Sequence, residues 1–189
     1  IKILYTLGLS LLEIQEFQDA VIVLQDALRT VNNAAEFANS TLSKFSLTMD
    51  EYSIFCSPFI ECNHADAIVK SDISLTASKI SVQFQLGKAY YYTHDYENAM
   101  KNYLQVVKWR VTTFGTMHDS VAAVISAISD VMMDKSAYAV ANTGYKESLN
   151  ILIECFGPYH VNVADEYTKL GRLFMRMSQD KKGHDKSHS

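Results

Sequence analysis

Cys56, Cys62 and His64 stand in the order C-x5-C-x-H, and thiolate with imidazole is the donor chemistry of structural zinc. The spacing departs from the close Cys and His pairs that such sites use, and no fourth ligand is evident, so no metal is expected. Cys155 and His160 are near in sequence and have the right types for a nucleophile and its base. Nothing in the pattern orients them as such. His118 and His160 recur, which invites a shared metal, yet no second ligand recurs with them; a role at helix starts fits better. Tyr90, Tyr91 and Tyr92, followed by Tyr96 and Tyr103, would make an acid–base cluster if they converged. Their spacing suits packing instead, with Tyr91 as the exception.

The dinucleotide, P-loop, zinc-protease and nucleophile-elbow signatures are absent from the sequence. No catalytic residue and no cofactor is expected, and the chain reads as a non-enzyme. Its 189 residues are 48% hydrophobic, enough for one domain or one array of small units with a buried core. With 7 Gly and 2 Pro there are few turn residues, which favours helices over many strands. A formal net charge of −4 leaves no electrostatic footprint for nucleic acid. No window reaches the ~18 apolar residues that span a bilayer, so membrane insertion is not expected. Three cysteines at irregular spacing suit a reducing compartment, hence a cytoplasmic location; the sequon Asn39-Ser40-Thr41 is common by chance. The chain begins with Ile1 and is expected to be a piece of something longer.

What must position these residues is a repeat. "FGTMHDSVA" from Phe114 returns as "FGPYHVNVA" from Phe156, 42 residues later, with His118 and His160 in phase. Leu86, Ile128 and Leu170 keep the offset, as do Tyr96 with Tyr138, Ala99 with Ala141, and Tyr103 with Tyr145. Within a unit, Val82, Phe84, Leu86 and Tyr90 make one helical stripe. Tyr96, Ala99, Tyr103 and Val106 make a second, and the polar turn Thr93–Asp95 between them offers helix N-caps. Stacked helical hairpins form a solenoid.

The order Leu86, Gly87, Tyr90, Tyr96, Ala99, Tyr103, Val106 resembles the tetratricopeptide repeat. Leu7, Gly8, Leu11, Phe17, Ala20, Leu24 and Ala27 give the same series, while Ile128, Ser129, Met132, Tyr138, Ala141, Tyr145 and Ser148 give a weaker one. The last copy has Leu170, Gly171 and Phe174, and places its small position at Gly183, so its second helix is expected to be missing or frayed. The 42-residue period and the F-G-x-x-H-x-x-V-A link are similar to the kinesin light chain type. The expected fold is all-α, a right-handed helical-hairpin solenoid of tetratricopeptide-like repeats. Residues 1–30 would form the first hairpin and 31–75 a divergent or remodelled repeat with a loop. Repeats would follow at 76–115 and 116–157, then a terminal helix at 158–178 and a mobile tail at 179–189. Within 31–75, Thr48–Glu51 has capping-box spacing for a short helix and Cys56–His64 reads as a loop. The stretch from Ala65 is expected to lead into the next hairpin as one extended helix.

The resemblance implies a concave groove lined from the first helix of each unit: Tyr5, Leu9 and Leu12; Phe84, Lys88 and Tyr91; Ser126, Asp130 and Met133; Thr168, Arg172 and Met175. Chaperone-binding members carry Lys and Asn where this chain has Tyr5 and Leu9, or Phe84 and Lys88, so the clamp for a terminal carboxylate is not implied. Kinesin light chains hold a peptide backbone with paired asparagines, where this chain has Ser126-Ala127 and Thr168-Lys169. The expected function is a scaffold that buries a partner helix or peptide in the groove, as part of a larger assembly. Tyr5, Leu9, Phe84, Tyr91 and Met133 would supply affinity, with Lys88 and Arg172 setting register. Segment 31–75 folding over the groove is the competing expectation. The other function class is a regulatory repeat domain of a longer enzyme whose catalytic part lies elsewhere. The apolar opening, with Ile3, Leu4, Leu7 and Leu11, calls for upstream repeats or a neighbouring subunit against it.

Overall fold

The computed structural model describes residues 2–52 and 63–186, with side chains at 2–36 and 76–180. Those residues form helices α1 (Lys2–Glu13), α2 (Phe17–Tyr52), α3 (Asn63–Tyr92), α4 (Tyr96–Phe114), α5 (Asp119–Asp134), α6 (Tyr138–Phe156) and α7 (Val161–Lys186), and no strand is among them. The architecture is all-α and built of helical hairpins. It falls into two compact units, Ile1–Ala89 and Tyr90–Ser189.

In the first unit α1 and α2 form a hairpin. The chain reverses through Gln15, at φ 65°, and the Glu16 N–H donates to the Leu11 carbonyl at 2.9 Å. Ala20, Leu24, Ala27 and Val31 make one stripe of α2, and all are essentially inaccessible to solvent. A fully buried leucine contributes roughly 1.5–3 kcal/mol. Gly8 is what lets α1 come close: a Cβ built on it would lie 2.6 Å from Leu24 Cδ2.

Two expectations for residues 31–75 change. Thr48–Glu51 lie inside α2, which runs on to Tyr52. Neither Gly nor Pro interrupts residues 17–52, and extending a helix costs far less than nucleating a new one. The expected loop at Cys56–His64 lies outside the described residues up to Cys62, while Asn63 and His64 belong to α3. The Cys56, Cys62 and His64 ligand set and the sequon at Asn39 also lie outside the described side chains. α3 is the single extended helix expected there.

In the second unit α4, α5, α6 and α7 pack in succession. The expected N-cap is Asp95, whose carboxylate accepts the Asn98 N–H at 3.2 Å and the Asn98 side-chain amide at 2.7 Å. His94 and Ser136, at φ 62° and 59°, turn the chain before α4 and α6. Gly115 and Gly157, at φ 85° and 81°, end α4 and α6. A side chain rarely adopts that conformation, and each glycine N–H closes the helix by donating to Val111 or Ile153. The core of this unit gathers Val121, Ala122, Ala141, Tyr145, Leu152, Val163 and Leu173 from α5, α6 and α7. Tyr103 and Tyr145 are fully buried, as their packing positions required.

α7 does not turn. It continues through Ser178, whose hydroxyl donates to the Phe174 carbonyl within the helix, and Gly183 lies in the same helix. Residues 179–189 contain no apolar side chain, so a second helix there would have no face to bury against the first. The terminal helix therefore extends into the stretch expected as tail.

Candidate functional site

First helices carry the groove positions, and in the second unit two of them, α5 and α7, are joined by a polar row. Ser126 and Asp130 stand one turn apart on α5; Glu166 and Lys169 stand opposite on α7. The Ser126 hydroxyl donates to Glu166 Oε2 at 3.0 Å and accepts from the Lys169 ammonium. Lys169 Nζ also lies 3.5 Å from Asp130 Oδ2 and 3.8 Å from Glu166 Oε2. Tyr145 reaches up from α6 and donates its hydroxyl to Asp130 Oδ1 at 2.6 Å. Further along, Arg176 donates to Asp134, and Tyr138 donates to Asp180.

Tyr91, near the end of α3, enters the same row. It is half-buried, within 5.3 Å of the Tyr92 ring and 6.2 Å of the Tyr96 ring between centroids. Burial, then a hydrogen bond from its hydroxyl to Asp134, push its pKa well above the usual tyrosine value. The Arg176 guanidinium is held charged by the same carboxylate. Asp134 thus accepts from both a tyrosine and an arginine and holds the two together.

Glu166 is the strained member. It is 3% exposed, and its Oε1 has no hydrogen-bond partner among the described residues. Burial raises its pKa, against the opposing pull of Lys169 and the Ser126 hydroxyl. A carboxyl with a raised folded pKa keeps its proton in the folded state after the unfolded chain has lost it. Its ionisation therefore costs stability as pH rises from the ordinary glutamate value of 4.5 through the folded value. Measured against Glu166→Gln by urea denaturation at several pH values, the wild type should gain relative stability as pH falls towards 4.5. A difference that does not change with pH would mean that Glu166 is not desolvated.

The expected groove residues divide. Asp130 and Tyr91 join the polar row, as does Ser126, but Ser126 is buried beneath it; Met133 is buried too, at 5% exposure. Thr168, Arg172 and Met175 are exposed on α7. In the first unit Tyr5, Leu9 and Leu12 are half-buried on α1, and on α3 the Lys88 ammonium lies 4.9 Å over the Phe84 ring. Sequence reasoning missed Asp134, Glu166, Lys169 and Arg176. Asp134 with Arg176, and Asp130 with Lys169, set an acid on one first helix and a base about one repeat later on the next.

The two histidines work at helix starts. His118 Nδ1 accepts the Ser120 N–H at 3.2 Å and its ring stacks on Phe114, centroids 4.6 Å apart. His160 repeats both contacts, with the Asn162 N–H at 3.2 Å and the Phe156 ring at 4.4 Å. Trp109 meets Phe114 edge-on at 5.6 Å. Cys155 is exposed, and its thiol faces the Met117 carbonyl at 3.5 Å. A crevice of about 410 Å³ lies among α4, α5 and α6, lined by Val107, Val111, Ile125, Met132, Val140 and Gly144, and it includes none of the groove residues.

A family model described as Tetratricopeptide repeat matches residues 80–110, the stretch from the last turns of α3 through most of α4. Among solved structures the chain is similar to BtubC (BKLC) from P. vanneervenii, at 13% identity and a TM-score of 0.50. That match covers 85% of this chain and 66% of the other, so the chain spans just under two thirds of the structure it resembles. The likeness is one of fold, a helical repeat. No curated protein matches the chain. Among the described residues no helix is long and apolar enough to cross a membrane.

Proposed function

We propose that this chain is a non-catalytic interaction scaffold of the tetratricopeptide type, and that the first-helix face of its second unit receives a partner peptide or helix. The observation that carries this reading is the polar row itself. Asp130, Asp134, Lys169 and Arg176 are partly exposed and fixed by one another, and Arg172 and Thr168 stand free to solvent beside them. Charges already ordered lose little side-chain entropy when a partner arrives. The buried state of Met133 argues that in this unit recognition runs through hydrogen bonds and charge more than through apolar burial. The paired stacks of Phe114 on His118 and Phe156 on His160 support 42-residue units of the kinesin light chain kind.

Affinity capture from a cytosolic extract tests the reading, with the intact chain beside Arg172→Glu. Arg172 is exposed, so the charge reversal should leave the melting curve in place. The expected result is a partner captured by the wild type and at least tenfold depleted by the variant. The same set of proteins on both would remove the α7 side of this face from the binding surface.

A further inference from the structure

Glu166 is ionisable, buried and only half satisfied. Its carboxyl sits where α5, α6 and α7 meet, faced by Ser126 and Asp130 of α5, Tyr145 and Ser148 of α6, and Lys169 of its own helix. Oε2 accepts the Ser126 hydroxyl at 3.0 Å, while Oε1 is buried and accepts nothing among the described residues. Ser148 faces this carboxyl, but its hydroxyl proton is donated to the Ala122 carbonyl at 3.1 Å. What Ser148 has left is a lone pair. An Oε1 that carries a proton can donate to it, whereas an ionised Oε1 stays a buried acceptor without a donor.

The Lys169 ammonium is held in a compromise. It donates to Ser126 Oγ, and it lies 3.5 Å from Asp130 Oδ2 and 3.8 Å from Glu166 Oε2. Unhindered ammonium–carboxylate hydrogen bonds close to about 2.7–2.9 Å, so neither acid has the lysine to itself. Asp130 is partly exposed, and its other oxygen is fixed by the Tyr145 hydroxyl at 2.6 Å. The charge on the buried acid therefore decides where the lysine settles.

We propose that these groups form a proton switch, in which Glu166 and Asp130 compete for the Lys169 ammonium. A proton taken from solvent onto Glu166 Oε1 makes that oxygen a donor to Ser148, removes the buried charge and leaves Lys169 to close on Asp130. Loss of the proton restores a charge beneath Lys169 and draws the ammonium inward, away from Asp130. Burial favours the protonated acid and outweighs the pull of Lys169, so the exchange falls above the ordinary glutamate range. The exposed output is the Asp130 carboxylate of the polar row, closely paired in one state and more open in the other. A partner on that row would meet either state, but the switch does not depend on such a partner.

NMR of the isotope-labelled whole chain, titrated from slightly alkaline to acid pH, tests the switch by reading the Glu166 carboxyl and the Lys169 Nζ together. The expected result is a Glu166 midpoint above the ordinary value of 4.5, with an inflection of Lys169 Nζ at the same pH. The three-bond couplings that report the Lys169 rotamers should change there too. Glu166→Gln keeps the shape of the side chain and should abolish both Lys169 responses. Asp130→Asn should lower the Glu166 midpoint, because it removes a neighbouring negative charge and leaves Lys169 to Glu166 alone. Circular dichroism verifies that both variants fold. A Glu166 midpoint at or below 4.5 would overturn the proposal, as would a midpoint that Asp130→Asn leaves in place. A Lys169 inflection with unchanged couplings would overturn it as well, since the lysine would then feel the charge without moving.

Discussion

Tyr145→Ala is expected to destabilise the Tyr90–Ser189 unit by about 3–5 kcal/mol, the range for truncating a buried aromatic ring. The ring has no exposed surface and sits among Val121, Ala122, Ala141, Leu149 and Val163, contributed by three helices. Removing it leaves a cavity that none of those helices can fill alone. The same substitution releases Asp130, which accepts the Tyr145 hydroxyl at 2.6 Å. Tyr145→Phe separates the two losses. It keeps the ring and removes only the hydrogen bond to a carboxylate, worth about 1.5–3 kcal/mol. The lower end is expected, because Asp130 is partly exposed and keeps Lys169 at 3.5 Å. Urea denaturation followed by circular dichroism measures both. A loss under about 1 kcal/mol for Tyr145→Ala would mean that the three-helix core is not packed as described.

Gly8→Val should destabilise the α1–α2 hairpin by about 1–3 kcal/mol, the usual penalty of forcing atoms into filled space. Its Cβ alone would fall 2.6 Å from Leu24 Cδ2 and 2.7 Å from Leu24 Cγ, and Leu24 is fully buried with nowhere to go. The second glycine of the same pattern behaves oppositely. Gly171→Ala meets no atom within 4 Å and should stabilise α7 by roughly 0.5–1 kcal/mol, since alanine is the better helix former. Thermal melts of the two variants beside the wild type decide the point. Shifts of the same sign would show that the two Leu-Gly positions share one environment.

That contrast also marks what the sequence could and could not tell. Gly8 and Gly171 stand in the same motif, and the motif correctly gave both a place on a first helix. Whether the place was covered depended on the packing of a second helix, and among the described residues nothing lies within 4 Å of a Cβ at Gly171. Tyr103, Ala99 and Tyr145 were legible as core because helical periodicity reports burial directly. The role of His118 was legible because it recurs beside the same Phe-Gly link as His160. The polar row was not. Asp134 with Arg176, and Ser126 with Lys169, pair across helices some forty residues apart, and hydrophobic periodicity carries no information about where long polar side chains meet. Met133 shows the same limit from the other side. Its position was assigned by register to the groove, yet burial within the helix stack claims it. The capping-box spacing at Thr48–Glu51 failed for a different reason, because an uninterrupted helix overrides a local start signal.

Site-specific photo-crosslinking tests the central claim most directly, with a photoreactive phenylalanine analogue at Thr168, exposed beside the polar row, and at Lys146, exposed on α6 as the control. The predicted result in extract is a discrete protein adduct from position 168, lost in the Arg172→Glu background and absent from position 146. Equal adducts from both positions, or none from position 168 while position 146 gives a defined one, would contradict a scaffold that binds through its first-helix face.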